Sequence, residues 1–327
     1  MDEPARPAPG SARCPAAGPP PHPALQRVLR EAGDPALADK LAGLSGTALT
    51  TLLLEVMRRR AERLTPADVM RRYGSDRFVA PAAVGFTPLR RAEDAMLAAL
   101  PQGFEVLTLA PVLPLAAHSA VATVDPRNVV ATVRGSEVAA DPTNGLALEA
   151  AARRRGLLRA DPRSAAAVRL AAVQRVARAQ QVSGPASFAH FQLLGVVTAG
   201  RDTGGHAFEL ASAAEHLGFA VGGLARLGAA RVRIELTRLD GAMPDVIAAV
   251  AAAVGGAECA EVVDAPERSS GRGYYTGLCF KVQADFGAGE LEVGDGGFVD
   301  WTAKLLGNSK ERLLISGYGI DRIALSG

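Results

Sequence analysis

From Pro88 onward the chain alternates segments of helical and strand periodicity, and several of the strands are long and follow one another closely. The strongest case is the pair VRLAAVQRVARAQ (168–180) and FAHFQLLGVV (188–197), two strand patterns around a short loop. Closely spaced strands of this kind favour hairpin pairing, so the chain is expected to form an α/β domain of α+β type, with a mixed, mainly antiparallel sheet flanked by helices rather than a doubly wound one. Around that pair the periodicity predicts helices at 88–100, 146–155, 205–217 and 244–254. Strands are predicted at 104–115, 128–134, 230–239 and 275–284, with turns at FGAGE (286–290) and GDGG (294–297).

The N-terminal part has a different composition. Residues 1–24 carry eight prolines among small residues and cannot bury enough apolar surface to offset their ordering entropy, so a disordered lead is expected. Residues 25–80 place Leu, Val and Met at helical spacings, with Ser45 as a cap before a helix to Arg60 and Thr65-Pro66 as an N-cap followed by Pro at the first helical position. Arg58, Arg59, Arg60, Arg63, Arg71 and Arg72 form the polar face of this helical module. The ordinary reading is a solvated surface; docking to RNA or a partner protein is the alternative. Across the chain 36 Lys and Arg nearly balance 34 Asp and Glu, which excludes a global field for nucleic acid or membrane. Three cysteines without metal-ligand spacing suggest neither a disulfide framework nor zinc, and no run reaches the roughly 18 apolar residues of a membrane span. A cytosolic (cytoplasmic) protein is expected, with a third unit covering 85–327.

Within 85–327, three segments in order resemble the motifs of the class II aminoacyl-tRNA synthetase core. The first is the helix at 88–100 with GFEVLTLAPVLP, similar to the family's dimer-forming helix and strand, here ending at Pro111. A homodimer is the implied assembly. The second is VQRVARAQ, the loop, and AHFQLLG. By resemblance Arg178 would hold the α-phosphate of ATP and Phe191 would stack on adenine, with Gln180 where the family has an acid; a fixed guanidinium suits phosphate oxygens. The intervening loop lacks the charged residues through which the family meets a tRNA end. The third is ISGYGIDRIAL at 315–325. It implies Gly317 and Gly319 against the nucleotide, Arg322 on the phosphates or base, and Asp321 as an aid to Mg²⁺.

Two further stretches resemble the histidyl branch. GRGYYTGLCF (271–280) is similar to its Arg-Gly…Tyr-Tyr-Thr-Gly signature, which implies Tyr274 and Tyr275 in an amino-acid pocket and Arg272 as the candidate for stabilising the transferring charge. ADPTNGLALEAA (140–151) resembles the stretch that holds an α-amino group, implying Asp141 and Thr143; Leu148 stands where that family has Arg. GDGGFVDW (294–301) sits at the position of a glycine-rich turn over the substrate. The plain structural readings are a helix N-cap for Asp141-Pro142-Thr143 and core packing for the two tyrosines. Among the histidines, His190 adjoins Phe191 and is expected near the cleft, whereas His118, His206 and His216 read as satisfied residues.

The resemblance stops where histidyl-tRNA synthetases carry an anticodon-binding domain, so an ordinary tRNA synthetase is not expected. It implies one of two functions. One is an enzyme that uses ATP and Mg²⁺ to activate a small amino-acid substrate as its adenylate. The other is a non-catalytic, histidine-sensing relative of the regulatory subunit of ATP phosphoribosyltransferase, partnered by that enzyme's catalytic subunit in histidine biosynthesis.

Overall fold

The computed structural model describes residues 22–180, 188–239, 243 and 245–326. Most of the Pro-rich lead and the loop at 181–187 lie outside the described residues. The chain divides into two compact units that part between Glu62 and Arg63. In the smaller unit, helices α1 (Pro23–Glu31), α2 (Leu37–Ala42) and α3 (Gly46–Ala61) contain no buried residue. Ser45 caps α3 through its hydroxyl, which accepts the Ala48 N–H at 3.2 Å. Helix α4 (Pro66–Tyr73) belongs to the larger unit; Thr65 and Asp68 form a reciprocal capping box at its start. Arg58 and Arg59 both bind Glu55, and Arg71 binds Asp68, so part of the basic face is neutralised within its own helices.

The larger unit is built on an eight-stranded sheet in the order β1-β4-β5-β10-β9-β8-β6-β7. Its strands are β1 (Glu105–Val106), β4 (Val168–Ala177), β5 (His190–Arg201), β6 (Arg231–Arg238), β7 (Ala260–Asp264), β8 (Thr276–Asp285), β9 (Glu290–Val299) and β10 (Glu311–Gly319). From β4 across to β6 every pairing is antiparallel; only the edge strands β1 and β7 pair in parallel. The mixed, mainly antiparallel architecture expected from strand spacing is the one observed. Helices α5 (Phe86–Leu97), α7 (Ala207–Arg226), α8 (Val246–Val254) and α10 (Ile320–Ser326) cover one face, packing residues such as Met96, Leu217, Val250 and Ile323 on Leu194, Val196, Ile234 and Phe280. On the other face α6 (Pro142–Ala160) and α9 (Trp301–Leu306) pack Leu146, Ala150 and Trp301 against Leu170, Val197, Leu313 and Ile315. The period-2 alternation of the long strands feeds the two clusters in turn, since neighbouring residues point to opposite faces.

Three expected elements take another form. The stretch 104–115 is not one strand: after the Leu107 N–H bonds the Ala171 carbonyl of β4 the chain leaves the sheet, the side chains of Leu107 and Leu109 pack in the α6-side core, and β2 (Val112–Pro114) pairs instead with β3 (Ser136–Val138) in a separate ribbon. Pro111 has no N–H to continue a ladder, and its carbonyl accepts the Ala139 N–H at 3.1 Å. The stretch 128–134 is also not a strand. Thr132 and Ser136 close a tight turn on each other, through the Thr132 N–H to the Ser136 carbonyl and through their hydroxyls.

The third is GDGG, expected as a turn and observed inside β9. Its glycines are demanded by rings lying on the strand: a Cβ would come within 2.5 Å of Tyr318 at Gly294, 2.5 Å of Phe280 at Gly296 and 2.6 Å of Tyr275 at Gly297. Gly296→Ala, which also drives its methyl to 2.6 Å from the Ile315 carbonyl, is expected to destabilise the protein by about 1–3 kcal/mol through overpacking. The urea midpoint at constant slope checks this.

Candidate functional site

A cleft of about 490 Å³ opens along β4, β5, β9 and β10 and the start of α6. Its first wall is the N-terminus of α6. Gly195 on β5 lets that end lie on the sheet, because a Cβ there would meet Pro142 at 2.8 Å. Asp141 is the N-cap with Pro142 at the first helical position, and its Oδ1 accepts the Thr143 N–H at 2.9 Å and the Thr143 hydroxyl at 2.7 Å. Its Oδ2 accepts from Arg178 Nη2 at 3.2 Å, while Arg178 Nε donates to the Ala140 carbonyl at 3.0 Å. The capping role and the place in the cleft therefore coexist in one carboxylate. Arg178 follows directly after β4, and its guanidinium carbon stands 5.1 Å from the centroid of the Phe191 ring.

The opposite wall carries Tyr274 and Tyr275, whose rings meet edge to face at 4.8 Å; Tyr274 also meets Trp301 at 5.8 Å. The Tyr275 hydroxyl donates to Asp295. Burial, reinforced by the Asp141 charge at Tyr274 and the Asp295 charge at Tyr275, raises both phenol pKa values, so both stay protonated hydrogen-bond donors. Burial also raises the Asp295 pKa, opposed by its bonds to Tyr275 and Arg268. Arg272 is not brought to the cleft. It is exposed, and its Nε and Nη2 donate to the carbonyls of Arg268 and Pro266, each at 2.9 Å. The guanidinium beside the tyrosines is that of Arg268, 7% exposed, bonded to Asp295 and 5.8 Å from the Tyr275 ring centroid.

The third side is the end of β10. Gly317 and Gly319 line it, and a Cβ at either would stand in ordinary contact, 3.7 Å from Leu193 and 3.6 Å from Arg322. Gln180 and Arg322 complete this side, with Arg322 Nη1 on the Glu292 carbonyl at 3.0 Å. Asp321 lines the cleft too, but its Oδ2 already accepts the Gln192 N–H at 2.6 Å, and its Oδ1 lies 3.8 Å from Arg175. Among the described residues no three His, Cys, Asp or Glu side chains converge as a metal site, so the residues present do not assemble a cage for Mg²⁺. His190 donates through Nε2 to the Ala80 carbonyl at 2.7 Å and accepts from Arg175 Nη1 at Nδ1 at 3.1 Å, beside the cleft rather than in its lining. Chemically, the two guanidiniums make an anion-binding half, and carboxylates with hydroxyls make a half suited to a cation and polar groups.

No family model and no curated protein matches the chain. Solved structures do. An ATP phosphoribosyltransferase regulatory subunit/histidyl-tRNA synthetase from Bacillus halodurans is 14% identical with a TM-score of 0.54, covering 74% of this chain and 79% of that one. Histidyl-tRNA synthetase from S. aureus, in its apo form, is 12% identical at a TM-score of 0.54, covering 74% of this chain and 65% of the other. The fold is that of the class II synthetases. A histidine–tRNA ligase subunit from Alicyclobacillus acidocaldarius gives the same result, at 13% identity, a TM-score of 0.52, and coverage of 75% of this chain and 94% of that chain.

On this synthetase-like core, sequence reasoning missed Arg268, Asp295 and the buried pair His118–Glu137. Asp295 was legible in principle: in a strand, G-D-G-G sends the acid to the face opposite Gly294 and Gly296. Arg268 lies four residues before Arg272, and only the path of the intervening SSG turn decides which of the two reaches the tyrosines.

Proposed function

We propose that this cleft activates an amino acid by ATP, forming the aminoacyl adenylate. The observation that carries the reading is the convergence of Arg178, Phe191, Arg322, Gly317 and Gly319 with Asp141, Thr143, Tyr274 and Tyr275 around one cavity. In this reading Arg178 meets the α-phosphate, Phe191 and Arg322 hold the base and phosphates, and Asp141 with Thr143 takes the α-ammonium. Arg268, not Arg272, is the guanidinium beside the two tyrosines and takes the role of stabilising the charge on the transferring carboxylate. A substrate carboxylate oxygen attacks the α-phosphorus, the bond to the bridging oxygen breaks, and pyrophosphate leaves with that oxygen's electron pair. The residues contribute orientation and charge stabilisation, since the nucleophile is already anionic. A homodimer through the Pro111 segment and a role for Mg²⁺ brought in with the triphosphate belong to the same reading.

A second reading, a histidine-sensing regulatory subunit for an ATP phosphoribosyltransferase catalytic subunit, is favoured by one observation. Arg178 is already bound to Asp141 and the Ala140 carbonyl, as a site that only senses an amino acid would allow. Amino-acid-dependent pyrophosphate–ATP exchange across the standard amino acids separates the two. Exchange with one amino acid is expected, falling by about 10²–10³-fold in Arg178→Ala. Silence across the panel, with calorimetric binding of histidine intact, would overturn the enzyme reading in favour of the regulatory one.

A further inference from the structure

His118 sits on a single π-helical turn, Ala117–Val121, entered through Ala116 with φ 71°, a left-handed conformation that a non-glycine residue adopts only when its surroundings enforce it. The enforcing group is Glu137, itself 4% exposed, whose carboxylate accepts the N–H of Ala116 at 3.2 Å and the N–H of His118 at 2.7 Å. The same carboxylate lies 2.6 Å from His118 Nδ1. Burial alone would raise the Glu137 pKa, but these bonds outweigh it and hold the carboxyl below its usual value, so Glu137 is an anion. On the far side of the ring, the Ala140 N–H donates to His118 Nε2 at 3.0 Å. A backbone N–H can only donate, so Nε2 carries no proton and Nδ1 carries the one shared with Glu137. The imidazole is fixed as the neutral Nδ1–H tautomer at 1% exposure, bordering the cleft.

What it fixes is the backbone under Arg178. The Ala140 amide that His118 accepts belongs to the residue whose carbonyl receives Arg178 Nε, and the next residue, Asp141, receives Arg178 Nη2. We infer that His118, oriented by Glu137, is a positioning residue for Arg178: it aims that guanidinium through the Ala140–Asp141 backbone without touching the ligand itself. Sequence reading treated His118 as a merely satisfied histidine, yet its acceptor nitrogen ends on the segment that holds the cleft's arginine. The inference rests on the proposed function only in taking ATP as the ligand of Arg178.

The test uses the whole protein and three variants. His118→Gln keeps an acceptor in reach of Ala140, His118→Asn keeps a donor in reach of Glu137, and His118→Ala keeps neither. In the wild type, ¹⁵N NMR is expected to show His118 protonated at Nδ1 and not at Nε2. The Arg178 Nε resonance is expected to move in the Asn and Ala variants and to hold in the Gln variant. ATP affinity by calorimetry follows the same split, at least about tenfold weaker in Asn and near wild type in Gln, as expected when a reacting group is misaligned. A purely structural role would track stability and make Gln and Asn alike. A His118 protonated at Nε2, or an Arg178 resonance unmoved in His118→Asn, overturns the inference. If the wild type binds no ATP, the proposed function fails, but the tautomer and the Arg178 resonance still decide the inference; if His118→Ala does not fold, the Gln–Asn pair decides it.

Discussion

Arg154→Ala is expected to lower the unfolding free energy by about 3–5 kcal/mol, because it leaves Glu311 charged and alone in the core. Both side chains of this pair are fully buried, and the guanidinium meets the carboxylate at 2.8 Å through Nε and again through Nη2. The remaining donors of Arg154 reach the carbonyls of Ala166 at 2.6 Å and Ser164 at 3.0 Å, so the pair ties α6 to the start of β10 and to the segment that leads into β4. Desolvating two ions offsets most of their attraction, so the cost of Arg154→Ala is the cost of the orphan. The double replacement Arg154→Met with Glu311→Leu should recover most of the loss. Urea unfolding of the two singles and the double, with an unchanged slope, measures the cycle. A single variant as stable as the wild type would mean that water reaches Glu311.

The second large effect is a dependence on pH. His216 on α7 is fully buried, hydrogen-bonded through one ring nitrogen to the Thr198 hydroxyl at 2.9 Å and through the other to the Ser316 hydroxyl at 2.9 Å. Burial, with a smaller push from the Arg169 charge, lowers its pKa from 6.5 to about 3. Below pH 6.5 the unfolded chain takes up this proton and the folded one does not, so stability falls as pH falls from 6.5 towards 3. The slope is about 1.4 kcal/mol per pH unit from this one group. Between pH 6.5 and pH 5 the wild type should lose about 1.6 kcal/mol more than His216→Gln, which has no proton to gain, because the slope reaches its full value only below the unfolded pKa. Denaturant midpoints of the two proteins at both pH values give the difference directly; parallel losses would show that the imidazole titrates in the native state.

What could be read beforehand divides by the range of the interaction. The helices and the long strands were legible because a run of ten or more residues carries its own period, as in 168–180. GDGG was not, since the steric demand for three glycines comes from Tyr318, Phe280 and Tyr275, two of which lie on other strands. The Pro111 segment misled in the same way: its apolar content suggests one long strand, but the pairing with β4 ends with the Leu107 N–H on the Ala171 carbonyl, and the side chains of Leu107 and Leu109 serve the core beneath α6. In the cleft, Asp141 was readable as a cap from the Asp-Pro-Thr order alone, and as part of a site only by resemblance. Arg268 and Arg272 stand only four residues apart, and which of them reaches the tyrosines is decided only once the turn closes. His118 and Glu137 stand nineteen residues apart with no pattern linking them, and their pairing is a product of tertiary structure alone.

The bond between Asp141 and Arg178 has a thermodynamic side. Each is the other's partner while the cleft is empty of competing charge. An anion that draws Arg178 away leaves Asp141 Oδ2 without its cation, and a cation that settles on Asp141 releases Arg178. Under the proposed function the two halves of the cleft would thereby be linked: the ligand that entered first would break the internal pair, and the second would find its counter-charge already free. Linkage of this kind is reciprocal, so an anion that took Arg178 and a cation that took Asp141 would each raise the other's affinity by the same factor, through the one bond of 3.2 Å between the two side chains.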